Sequence, residues 1–124
     1  MAGRRGKVVK FGVIRYAAAQ GDEPITDFLI SLRAEQPVLH DLVVAALLRL
    51  EDRAWHGPPH TEQVDRDIYE VRVGRQNIAR VFFFFQPDRT IVLTHGYVKK
   101  QQKLDRGELR RAREYKRDWE ARHV

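Results

Sequence analysis

Ile78-Ala79-Arg80-Val81-Phe82-Phe83-Phe84-Phe85 is the stretch whose reading decides the fold. Its β-branched and aromatic side chains, with no glycine or proline among them, predict a strand. Successive side chains of a strand point to opposite faces. Four neighbouring phenyl rings therefore divide between the two sides of a sheet, alternate rings packing under helices while the others serve the opposite face. The same alternation groups Ile78, Arg80, Phe82 and Phe84 on one face.

The flanks extend this into a meander. Gly74-Arg75-Gln76-Asn77 and Gln86-Pro87-Asp88-Arg89 are turns. Ile68–Val73 before them and Thr90–Val98 after them read as further strands, joined antiparallel by the tight connections. Lys99–Leu104 is a polar connection. Asp105 with Glu108 three residues on has the form of a capping box. Leu109, Ala112, Tyr115, Lys116 and Trp119 then line one side of a final helix that is otherwise mostly charged.

Toward the N-terminus the period changes. Leu39, Leu42, Val43, Ala46, Leu47 and Leu50 recur at helical spacing and predict an amphipathic helix, ended by His56-Gly57-Pro58-Pro59. Pro37 separates it from an earlier helix carrying Ile25, Phe28, Leu29 and Leu32. The turn Gly21-Asp22-Glu23-Pro24 opens that helix, with proline near its first position and acids at its positive end. Val8 to Tyr16 reads as a first strand. The expected fold is one α+β domain over residues 1–124: a four-stranded antiparallel sheet, an N-terminal helical pair on one face and a C-terminal helix.

The 124 residues suit one domain. The absence of cysteine removes disulfides and thiolate metal sites. No apolar run reaches membrane-spanning length, and no long apolar stretch follows the basic start as a signal peptide requires, so a soluble cytoplasmic protein is expected. The net charge is +6, and it is uneven. Residues 1–67 carry nine Lys/Arg against ten Asp/Glu, whereas residues 68–124 carry fourteen against seven. Clustered cations attract polyanions and release counterions when phosphates bind. A solvated basic helix is the competing explanation.

Several groups could carry chemistry. Arg72 lies on the second predicted strand and Arg80 on the third; Lys99, Lys100 and Lys103 leave the end of the fourth, just after Tyr97. By position alone, Arg80 is as readily a structural group as a functional one. His95 titrates near neutrality and could serve as a base, or it could be a satisfied sheet histidine, because alternation places it with Ile91 and Leu93. Arg110, Arg111, Arg113, Lys116 and Arg117 on the last helix include candidate phosphate contacts. Trp55 and Trp119 read as packing groups. The remaining histidines show no metal-ligand spacing, so no metal and no cofactor are expected. Gly3-Arg4-Arg5-Gly6 lacks the strand-loop-helix context of a phosphate loop.

Three stretches carry a resemblance: Ile68-Tyr69-Glu70-Val71-Arg72-Val73, then Asn77-Ile78-Ala79-Arg80-Val81-Phe82-Phe83-Phe84, then Thr94-His95-Gly96-Tyr97-Val98-Lys99-Lys100 followed by Gln101, Gln102 and Lys103. Together they resemble the phage-associated HigB branch of the RelE/ParE toxin superfamily, over about residues 64 to 119. The resemblance implies a toxin of a type II toxin–antitoxin system, a metal-independent endoribonuclease that cuts messenger RNA at the ribosome. The ribose 2′-hydroxyl would attack the adjacent phosphate as the 5′-oxygen leaves. That reaction needs a base, cations for the developing charge and an acid. The resemblance places Arg80 on the scissile phosphate, Arg72 and the Lys99–Lys100 pair around it, and Tyr97 as a stacking or proton-orienting group. A lysine base is possible, because neighbouring cations lower its pKa while bound phosphate raises it. His95 is the alternative. The implied partner is a cognate antitoxin of the helix-turn-helix, HigA-like kind, through which alone operator DNA would be bound. Electrostatic complementarity leads us to expect it to be acidic and to lie against the basic face, covering the site. A gyrase-inhibiting toxin of the ParE kind and a non-catalytic RNA-binding module are the other readings of this scaffold.

Overall fold

The computed structural model describes residues 8–99 and 104–123. Its elements run β1 (Gly12–Arg15), α1 (Pro24–Glu35), α2 (Pro37–Arg49), a short 3-10 turn (Arg53–Trp55), β2 (Thr61–Asp65), β3 (Ile68–Val73), β4 (Ile78–Gln86), β5 (Thr90–Lys99) and α3 (Arg106–Arg122). Prolines occupy the first turn of both α1 and α2, where a missing N–H costs nothing. Asp105 caps α3: its Oδ1 accepts the Glu108 N–H at 3.1 Å.

The sheet has five strands in the order β1-β5-β4-β3-β2, and it is mixed. This corrects the expected four antiparallel strands in two ways. β1 runs parallel to β5, pairing Gly12 with Thr90 through Arg15 with Leu93. Its partner lies far along the chain, so no local turn announces the direction. β2 is an additional edge strand, antiparallel to β3. Thr61-Glu62-Gln63-Val64-Asp65 is polar, as edge strands often are, and so gives no alternating apolar signal. The predicted meander β3-β4-β5 is present. The predicted first strand shortens to Gly12–Arg15.

β4 lies at the centre and is buried along nearly its whole length. Val81, Phe83 and Phe85 pack with Ile25, Leu32, Val43 and Leu47 of the helical pair. Phe82 and Phe84 face the other way. Phe82 packs with Ala112 and Leu109 of α3, and Phe84 with Tyr115 and Trp119. The divided phenylalanine run therefore anchors helices on both faces. Burying one phenyl ring contributes about 2–3 kcal/mol, so this strand carries a large share of the core. The far end of α3 is held by the Tyr16 hydroxyl, which donates to Asp118 at 2.6 Å, and Asp118 in turn pairs with Arg122. Leu42, expected in the core stripe of α2, is instead half exposed.

Candidate functional site

Arg80 and Tyr97 are directly opposed on β4 and β5, on the face that carries α3. Arg72 stands opposite Arg80 on the other side, on β3, and Lys99 opposite Ile78. Three of the expected catalytic cations and the tyrosine thus share one stretch of sheet. Lys100 and Lys103, and the Gly3–Gly6 stretch, lie outside the described residues.

Arg80 is only 1% exposed. Its Nη1 donates to Glu70 Oε2 at 2.8 Å, and Glu70 is equally buried. Arg72 Nε reaches the same oxygen at 3.3 Å, while its Nη2 bonds Glu62 at 3.0 Å. The result is a ladder of alternating charge across three strands: Glu62, Arg72, Glu70, Arg80. Burial pushes the Glu70 carboxyl above the usual range, and the two arginines oppose that. Glu70 Oε1 is buried with no hydrogen-bond partner among the described residues. Sequence pattern alone did not single out Glu70, although it alternates with Arg72 on one face.

Tyr97 stacks on Phe82 with ring centroids 5.8 Å apart. Its hydroxyl accepts the Asp105 N–H at 3.3 Å, which ties the site to the start of α3. Burial raises its pKa, so the phenol keeps its proton at neutral pH. Lys99 Nζ lies 3.8 Å from Asp105 Oδ2 and is partly exposed. Arg72 and Lys99 are the described cations of the cluster open to solvent, with Arg80 beneath them.

His95 does not share the face of Ile91 and Leu93, as uninterrupted alternation requires. The pairing of β4 with β5 shifts by one residue between Val81 and Phe83, and this irregularity turns the side chain. His95 packs on Phe82 and Tyr115 instead. Nε2 contacts Glu108 Oε1 at 3.1 Å and Nδ1 contacts Thr94 Oγ1 at 3.3 Å. Burial holds its pKa below 6.5, with Glu108 opposing. It borders a cleft between the start of α1 and α3, with Asp22, Asp27, Ser31 and Arg111. The Phe82 ring lies against both His95 and Tyr97.

The expected basic residues of α3 differ in their surroundings. Arg113 pairs with Asp65 at 2.7 Å and bonds the Arg66 carbonyl, fastening α3 to the β2–β3 turn. Lys116 pairs with Glu120 at 2.7 Å and lies over the Phe84 ring. Arg111 contacts Glu108. Arg110 and Arg117 are exposed, and Arg106, which no motif marks in the sequence, joins them as an exposed cation at helical spacing. Trp55 and Trp119 pack as expected, against Arg49 and His60 and against Phe84 and His123 respectively. No group of three His, Asp or Glu suited to a metal ion occurs among the described residues. No helix among them is long and apolar enough to cross a membrane.

A small α+β domain with cations gathered on one sheet face is a scaffold suited to polyanion contact. Residues 31–117 match the family described as phage derived protein Gp49-like (DUF891), and the chain belongs to that family, one of RelE/HigB-type toxins in toxin–antitoxin systems. A search of curated proteins found no match.

Proposed function

We propose that this protein is the toxin of a toxin–antitoxin pair and acts as an endoribonuclease on messenger RNA. The observation that carries the reading is the opposition of Arg80 and Tyr97 across β4 and β5, with Arg72 and Lys99 beside them. Family membership supports it. The cluster supplies cationic donors, paired with Glu62, Glu70 and Asp105 in the free protein, that would turn to the negative charge of a phosphorane-like transition state. Arg72 and Lys99 meet the phosphate from the solvent side, and Arg80 adds charge from below. Tyr97, a neutral phenol, stacks a base or donates a proton to the leaving 5′-oxygen. Lys100 follows Lys99 in the chain and is the other lysine of the proposed pair. His95 is the alternative base; its cleft is a separate one, which favours a lysine of that pair in the role. The exposed Arg106, Arg110 and Arg117 extend the phosphate-binding surface beyond the scissile bond.

The partner is a cognate antitoxin of the helix-turn-helix kind, and the working location is the cytoplasm, at the ribosome. The test is expression with and without the antitoxin gene, followed by mapping of messenger RNA ends. New ends within ribosome-covered codons support the reading. Intact messages with trapped gyrase would replace it with the ParE-like alternative.

A further inference from the structure

A groove runs along α2 and reaches Arg72 on β3. One part lies between α2 and β2–β3 and is floored by Val71 and Val73. The other lies between the start of α2 and the β3–β4 turn. They adjoin at Leu42 and Gly74, which line both, and together make up the groove. Its length follows the thirteen residues of α2, about 20 Å at 1.5 Å per residue.

The groove combines two chemistries. Val38 and Leu42 present apolar side chains 75% and 50% exposed, one helical turn apart. Arg49, two turns further on, lies over the Trp55 ring at 4.7 Å. Arg75 is exposed at the other end. No aspartate or glutamate lines either part among the described residues. The groove is also preformed: Asn77 Nδ2 donates to Gln36 Oε1 at 3.1 Å, pinning the β3–β4 turn to the α1–α2 junction. A nucleic acid would use the arginines but leave Val38 and Leu42 in water or against a backbone that cannot cover them. A protein segment with apolar side chains and carboxylates uses both.

We propose that this groove docks an acidic, leucine-bearing segment of a protein partner. Apolar side chains of that segment cover Val38, Leu42 and the edge of Trp55, and its carboxylates meet Arg49 and Arg75. Only the partner's identity as the antitoxin rests on the functional reading above; the docking chemistry stands apart from it. Arg72 of the Arg80 cluster also lines the groove, so a partner seated there reaches the edge of that cluster.

The test uses the full chain and two variants, Arg49→Glu with Arg75→Glu, and Val38→Ser with Leu42→Ser. The probe is a synthetic helical peptide with leucines at i, i+4 spacing and flanking glutamates, beside its lysine counterpart and an oligoribonucleotide of equal charge. Binding is followed by the indole N–H resonances of Trp55 and Trp119. The expected result is acidic-peptide binding that moves Trp55 and leaves Trp119 in place. It should weaken about tenfold or more in each variant, while RNA cleavage is unchanged. Equal binding of the two peptides, or unaltered binding in both variants, overturns the proposal. So does oligoribonucleotide binding that moves Trp55 and falls with the arginine pair. The co-expressed antitoxin then separates the two claims. If it inhibits wild type and both variants equally, the groove is not its site although the toxin reading survives. If no message is cut in any arm, the toxin reading fails while peptide docking still decides the groove.

Discussion

Arg80 and Glu70 form a 2.8 Å ion pair with both side chains almost wholly buried, one strand apart in the middle of the sheet. Burying two charges is costly, and their attraction offsets the cost only while both are present. Glu70 therefore holds the one arginine that lies at the centre of the candidate site.

Glu70→Gln keeps the shape and removes the charge. The expected loss of unfolding free energy is about 3 kcal/mol, the usual effect of breaking a buried pair. Urea unfolding measures it. A loss below about 0.5 kcal/mol would mean that the pair does not hold the sheet.

His95 gives a pH dependence with a defined sign. Its pKa in the folded protein lies below 6.5 because burial disfavours the charged ring. The unfolded chain then binds more protons, so stability falls as pH drops through 6.5 and levels off once the folded-state pKa is passed. Glu108 and Arg111 of α3, Tyr115 and Thr94 face it, Asp22, Asp27 and Ser31 line the same cleft from the α1 side, and Glu108 moderates the effect. Unfolding curves from pH 8 to pH 5 should be flatter for His95→Asn than for wild type. Parallel curves would contradict this.

Two glycine substitutions should differ in severity. A Cβ at Gly74 meets the Asn77 carbonyl oxygen at 2.3 Å, and its φ of +112° suits only glycine. A Cβ at Gly96 meets the Phe28 ring at 2.6 Å and the Arg80 carbonyl oxygen at 3.1 Å, so its closest clash is with a side chain and the backbone contact is the looser one. Gly74→Ala should cost about 2–4 kcal/mol and Gly96→Ala about 1–3 kcal/mol. The reverse order in thermal unfolding would show that the turn yields more easily than the α1 contact.

The proposed chemistry predicts a separation of activity from folding at Tyr97. Tyr97→Phe keeps the stack on Phe82 and loses only the hydroxyl. RNA cleavage should fall about 10²-fold or more, as for loss of an acid–base group, with unchanged circular dichroism. Lys100→Ala should relieve toxicity in a folded protein, and Arg80→Ala should relieve it together with a loss of stability, because Glu70 is left buried without its partner. Full toxicity in both would remove the site assignment.

The basic helix should divide by role. Reversing Arg110 or Arg117 should weaken single-stranded RNA binding and reduce the salt slope by about 0.7 for each phosphate no longer neutralised. Arg113→Ala should act on stability instead, because it frees α3 from Asp65. Equal salt slopes for all three would leave the helix a solvated face.

The central meander was legible because its signals are local. Aromatic and β-branched runs bounded by tight turns report their own period, and the capping pair at Asp105 and Glu108 marks the start of α3. Arg72 and Arg80 meet by the pairing of adjacent strands, whereas Tyr97 and Lys99 join them only through the same one-residue shift that moves His95. Glu70 was equally accessible to that logic but looked like an ordinary strand residue until Arg80 proved buried. Simple alternation puts His95 on the wrong face, because a one-residue shift in pairing leaves no mark in composition.

Sequence by itself determined the period of each long element, the split of the phenylalanine run between two faces and the basic bias of the second half. These depend on neighbours within a turn or two. Tertiary structure alone decided that β1 runs parallel at the β5 edge, that β2 closes the other edge, and that Leu42 opens into a groove. Each of these depends on partners tens of residues away, where pairing and burial are settled by the packed whole and not by any local preference.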